Sequence, residues 1–236
     1  MFKEHLEKVL IVLCVLVPLN AFAPPDITLF KAVGKGDLAL VKDMVSRGAD
    51  VNTRDKLDKT PLHVACRKSH RDIVEFLLLK GAAVDAVDRY KLTPLHEAVV
   101  LGDSLIAEML LAHGAGVHAL DQRDFTPLHE AAYRGHFAVV KVLLAHGASL
   151  QKLDKRGDTP LHKAAVFGRP DVMGLLVDRG AHVNAQNYFG ETPLHMAAIL
   201  NNRQAMEFLL SRGAHRAIKN KAGKTAFDVA AQRASQ

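Results

Sequence analysis

Thirteen histidines, against two cysteines, invite a catalytic or metal-binding reading of this 236-residue chain. His129-Glu130 opens like a zinc-protease signature, in which a second histidine four residues after the first completes the metal site. That place is Tyr133, and His136, seven residues on, comes too late to complete the motif. No glycine-rich phosphate loop, Cys-x-x-Cys pair or nucleophile elbow occurs either, so neither an enzyme nor a bound metal or cofactor is expected. Cys66 stands where related segments carry Ala or Val, which reads as a small core residue rather than a reactive thiol.

The elements that position these residues follow from a repeat. Thr-Pro-Leu-His begins at Thr60, Thr93, Thr126, Thr159 and Thr192, always 33 residues apart, and Thr225-Ala-Phe-Asp keeps the phase. Gly48, Gly81, Gly114, Gly147, Gly180 and Gly213 share that period. Each threonine suits a helix N-cap and each proline the first helical position. Paired small residues such as Ala131-Ala132 let a neighbour approach closely. Ile73, Val74, Leu77 and Leu78 then mark a second amphipathic helix, which ends at the periodic glycine. The remaining stretch is a polar connection with Asp or Asn five residues before each threonine, as a tight turn favours.

The period and motif resemble the ankyrin repeat over about residues 26–236. The resemblance implies an all-α solenoid of helix-turn-helix units, each with a β-hairpin finger, whose motif histidines hydrogen-bond within and between repeats. A modified cap over 26–54 precedes full repeats at about 55–87, 88–120, 121–153, 154–186 and 187–219, with a truncated cap over 220–236.

Packing fixes some columns of such a repeat, and function resides in the rest. Five columns vary here: four, three and one residue before each motif threonine, and seven and eight after it. They supply the candidate partner-binding residues Lys56, Leu57, Arg67, Arg89, Tyr90, Leu92, Arg123, Phe125, Tyr133, Arg134, Arg156, Phe167, Tyr188 and Phe189. The resemblance places these positions on a concave face, roughly 50 Å long if stacked helices lie 8 to 10 Å apart. All three tyrosines of the chain fall in these columns, and Tyr with Arg is the mixture enriched at protein interfaces. Some of the rings can instead stiffen the stack by packing on the next finger. Lys56, Lys59, Arg67, Lys68 and Arg89 crowd the first two repeats, so an acidic patch is expected on the partner.

A non-catalytic module that binds a protein is therefore expected. Polyanion or nucleic-acid binding through the basic fingers is the alternative, since the net charge is +6. A monomer is expected. Val9 to Val17 form an apolar run, preceded by a charged head and followed by Ala21-x-Ala23, the layout of a signal peptide over residues 1–23. Export to a periplasm or the medium would follow. An uncleaved lead or extra capping helix in a cytoplasmic protein is the other reading. No apolar run reaches the roughly 20 residues of a spanning helix.

Overall fold

A computed structural model describes residues 28–234. The expected signal peptide lies outside the described residues. Thirteen helices occur among those residues: α1 (Leu29–Lys35), α2 (Leu38–Ser46), α3 (Pro61–Arg67), α4 (Arg71–Leu79), α5 (Pro94–Leu101), α6 (Ser104–Ala112), α7 (Pro127–Arg134), α8 (Phe137–Ala145), α9 (Pro160–Val166), α10 (Pro170–Asp178), α11 (Pro193–Ile199), α12 (Arg203–Ser211) and α13 (Ala226–Ala234). Consecutive helices pair, and each pair stacks on the next in chain order, α1 on α3, α3 on α5 and so on to α13. The result is a solenoid with one continuous apolar core.

Helices of seven to nine residues are too short to persist alone in water. Their ends and their packing hold them. Thr60, Thr93, Thr126, Thr159 and Thr192 each form a capping box with the motif histidine three residues on. Ala65-Cys66, Ala98-Val99, Ala131-Ala132, Ala164-Ala165 and Ala197-Ala198 are all fully buried, which brings successive first helices into contact. Second helices end at the periodic glycines, whose φ of 81 to 94° is the left-handed conformation that lets the Gly81 and Ala82 amides bond back to Leu78 and Leu77.

The motif histidines tie repeats together as the resemblance implied. Each Nδ1 accepts from the N–H of its own threonine at 3.1 to 3.2 Å. Each Nε2 faces a backbone carbonyl in the next repeat: Leu92, Phe125, Asp158, Glu191 and Lys224 for His63, His96, His129, His162 and His195 respectively. An acceptor Nδ1 obliges the neutral ring to carry its proton on Nε2 and to donate from there. At the end of the stack Asp228 replaces the histidine, and its carboxylate accepts from the Thr225 N–H and hydroxyl. At the other end Thr28 caps α1, although Leu29-Phe30-Lys31 replaces Pro-Leu-His after it.

The fingers differ from the hairpin expectation. No strand forms among the described residues, which show a single isolated bridge between Lys219 and Thr225. Each finger is a turn closed on the oxygen of its Asp or Asn: Asp121 Oδ1, for example, accepts from the N–H groups of Arg123 and Phe125. One backbone bond joins each finger to the one before, as from Arg89 to Leu57 and from Gln122 to Tyr90. One bond per junction is too few for a ladder. None of the described helices is long and apolar enough to cross a membrane.

Candidate functional site

The turn geometry decides which side chains leave the stack. Because the Asp or Asn side-chain oxygen takes the amides two and four residues on, the residue between them is forced to the tip. Asp58, Lys91 and Asp124 therefore sit at φ of 58 to 61°, a conformation that Gly157, Gly190 and Gly223 adopt at the same place in later fingers. The residues flanking that tip stand clear. Lys56, Leu57, Arg89, Tyr90, Arg123, Arg156, Tyr188 and Phe189 are all exposed, Tyr188 lying across Gly157 of the preceding finger.

Fingers and first-helix ends face the same side, because arginines from both reach one carboxylate. Arg123 of a finger and Arg134 at the end of α7 bond Glu130 at 2.9 and 2.5 Å. Arg67 and Arg134 are exposed, Phe167 is 41% exposed, and Tyr133 is half-buried with its ring edge-on to Phe167 at 4.8 Å.

The column just before each threonine does not face solvent as expected. Phe125 is only 7% exposed, with the Arg123 guanidinium 4.1 Å above it, Lys163 Nζ at 4.7 Å and the His129 ring at 5.6 Å. Lys59 and Asp158 are buried too, and Leu92 is half-buried. Here the chain descends from the finger into the helix cap, so the side chain points across the junction. Phe125 is thus a wall of the site and not an exposed contact.

Buried ions run beneath the face. Lys59 reaches Glu97 of the next repeat at 2.5 Å, and Arg67 approaches the same carboxylate at 3.5 Å. Arg123 also bonds Asp121 at 2.7 Å. Lys163 lies 2.6 Å from both Asp154 and Asp158, while Arg156 bridges Asp158 and Glu191 at 3.7 and 3.6 Å. Burial opposes ionisation of Asp158, yet hydrogen bonds from Lys163 and Asn187 outweigh it and hold its carboxyl below the usual range. Glu97, Glu130 and Lys163 were missed from sequence, although the signal was present. They directly follow the motif histidine, in a column that is Val64 and Met196 at its two ends.

These pairs redistribute the basic end. Lys59 and Arg67 share Glu97, Lys59 also faces Asp88, and Arg89 donates to the Lys56 carbonyl at 2.5 Å. Lys56, Lys68 and Arg89 keep charges with no carboxylate partner among the described residues. Catalytic chemistry finds no foothold at the residues considered: Glu130 is taken by two arginines, and burial pushes the Cys66 thiol well above its ordinary range, so the nucleophilic thiolate does not form. Among the described residues no group of three His, Cys, Asp or Glu side chains could hold a metal ion.

One acid oxygen is held by an ion pair alone. Asp88 Oδ2 is buried without a hydrogen bond, 3.8 Å from Lys59 Nζ, because Tyr90 stands where the corresponding finger has Arg123 bonding Asp121 Oδ2. Tyr90→Arg should therefore stabilise the protein by about 1 kcal/mol and raise the melting temperature by roughly 2–4 °C. A melt that stays put or drops would show that Asp88 is already satisfied.

Comparison with known proteins places this geometry. A family model described as ankyrin repeats (3 copies) matches residues 29–121 and 104–187, and one described as ankyrin repeats (many copies) matches residues 176–230. The crystal structure of the human ASB11 ankyrin repeat domain aligns with a TM-score of 0.80 at 31% identity, over 86% of this chain and 91% of that one. Protein phosphatase 1 regulatory subunit 27 of Mus musculus is 39% identical over 61 residues, and that of Homo sapiens 44% over 48. The alignments take in 25% and 20% of this chain, and only 40% and 31% of those relatives.

Proposed function

Because the chain belongs to the ankyrin repeat family, we propose that it is a non-catalytic module that holds a protein partner on the face formed by its finger tips and first-helix ends. The observation that carries this reading is the exposure of Tyr90, Phe167, Tyr188 and Phe189 at 41 to 56% beside Arg89, Arg123 and Arg156 on that side. Large aromatic rings left in water beside guanidinium groups are the composition of interface hot spots. The named relatives support protein binding in general; similarity over 61 residues carries no particular partner to this chain.

The ion pairs favour this reading over polyanion binding. Lys59, Arg67, Arg123, Arg134 and Arg156 already face carboxylates, so the cations left for phosphates are fewer than the composition promised. Export through residues 1–23 belongs to the same proposal, and a mature chain that starts near Pro24 would support it.

The test is capture from the source cells by three forms of the protein: unaltered, Tyr90→Ala/Tyr188→Ala on the face, and Leu79→Ser on a second helix, where Leu79 is 72% exposed. A protein held by the first and third forms but released at least tenfold by the second is the expected outcome. Equal retention by all three, with equal melting temperatures, would refute the face.

A further inference from the structure

At the junction of the third and fourth full repeats a cavity of about 380 Å³ opens between the ends of α7 and α9, lined by Val100, Tyr133, Arg134, His136, Phe167 and Arg169. Its lining contains two guanidinium groups and a histidine and no acid. Arg123 has the carboxylate of Glu130 beneath it and Lys163 that of Asp158. Arg169 has none: its guanidinium stands 6.0 Å from the Phe167 ring centre, with no ion-pair partner among the described residues. The column explains why. His70 and His136 hold the same place in other repeats and direct Nε2 at the carbonyls of Gly34 and Val100 in the repeat before. Arg169 is longer; its Cδ lies over Gly135, where an added Cβ would come within 2.6 Å, and the charged end continues past. Arg134 meets Glu130 through Nε, which leaves its terminal nitrogens for another acceptor.

Resting on the proposed function, we infer that this cavity anchors the partner through an acidic residue, Asp or Glu, next to a large apolar one. The apolar side chain lies against the edge-to-face pair of Tyr133 and Phe167, and the carboxylate bonds Arg169, with Arg134 as second donor. Charge complementarity selects the anion, and a guanidinium offers a carboxylate two parallel donors. The volume falls within the range of sites that enclose a small ligand, which is enough for one such side chain and its neighbour.

A library of random peptides displayed on phage and selected on the full chain tests this without knowledge of the natural partner. Selected peptides are expected to share Asp or Glu beside Leu, Ile, Phe or Tyr. Binding of a synthetic copy should fall about 10- to 100-fold on Arg169→Gln, which keeps the stem over Gly135 while removing the charge. Selection on Arg169→Glu should switch to Lys or Arg at the same place, a gain that loss of folding could not mimic. Peptides that lose affinity on Tyr90→Ala/Tyr188→Ala but not on Arg169→Gln would sink the cavity and leave the face standing. No enrichment of acids, or binding only when phosphoserine replaces the acid, would overturn the inference as well.

Discussion

Lys163→Met should cost about 3–5 kcal/mol, the largest loss expected from any single change in the ion network. Lys163 is 6% exposed, and its ammonium is the cation 2.6 Å from both Asp154 and Asp158. Removing it strands two carboxylates where water does not reach: Asp158 is fully buried and keeps only Asn187 and the more distant Arg156. Hydrophobic volume is not what is missing, because the next repeat has Met196 at the same step, buried at 7%, with Asn187 and Glu191 in place of the two aspartates. The triple variant Lys163→Met/Asp154→Asn/Asp158→Glu copies that arrangement and should recover most of the loss. Urea melts of the two variants measure it. A loss below 1 kcal/mol for the single change, the size typical of an exposed pair, would mean that the aspartates find solvent.

How far the sequence disclosed this depends on whether a column's role is set within one repeat or between two. The helices, their caps and the turn-closing Asp and Asn residues are local chemistry, and each was visible because its 33-residue rhythm repeats the same solution. The stepping of histidine onto the next repeat's carbonyl came from family resemblance. Phe125 and Lys59 are buried for a physical reason: variation in a column suggests exposure, whereas this column varies because each of its residues must match a particular neighbour. Lys59 faces Glu97, Asp158 faces Lys163 and Asn187, and Phe125 lies under Arg123 and Lys163. Pairwise compensation across a junction conserves the fit and not the residue type, so no single column reveals it.

The same coupling shapes the candidate face. Arg123 serves three neighbours at once: it bonds Asp121, bonds Glu130 and covers the Phe125 ring. A side chain held from several directions has little rotamer freedom left to lose on binding, and that loss is a principal cost of association. Tyr90 and Phe189 differ in kind. Arg156 stands 4.7 Å from the Phe189 ring, while Tyr90 is exposed at the place that Arg123 holds in the next finger. The buried ions therefore set the shape and rigidity of the floor, and the exposed rings supply the contact area above it.

Acid should unstack the solenoid before it discharges the carboxylates. Burial holds His63, His96, His129 and His162 below their ordinary value of 6.5, with His129 down to about 4. Protonation of Nδ1 would also set a proton against the threonine N–H that this atom accepts. In the unfolded chain these rings take up protons near pH 6.5, so between 6.5 and the folded value the unfolded state binds more protons and stability falls as pH falls. For His129 that window runs from 6.5 to about 4 and is worth about 3 kcal/mol, with the other three adding losses of the same sign. Asp158 and Asp103, whose folded values are depressed instead, contribute stability that is lost only as pH falls below about 4. The midpoint of urea unfolding should therefore decline steadily from pH 7 to 4.5, with a net uptake of more than one proton on unfolding. His129→Gln should be less stable at pH 7 and should show a shallower decline, with smaller proton uptake. A midpoint that held level over that range and fell only below pH 4 would assign the acid response to the carboxylates and contradict the neutral histidine ladder.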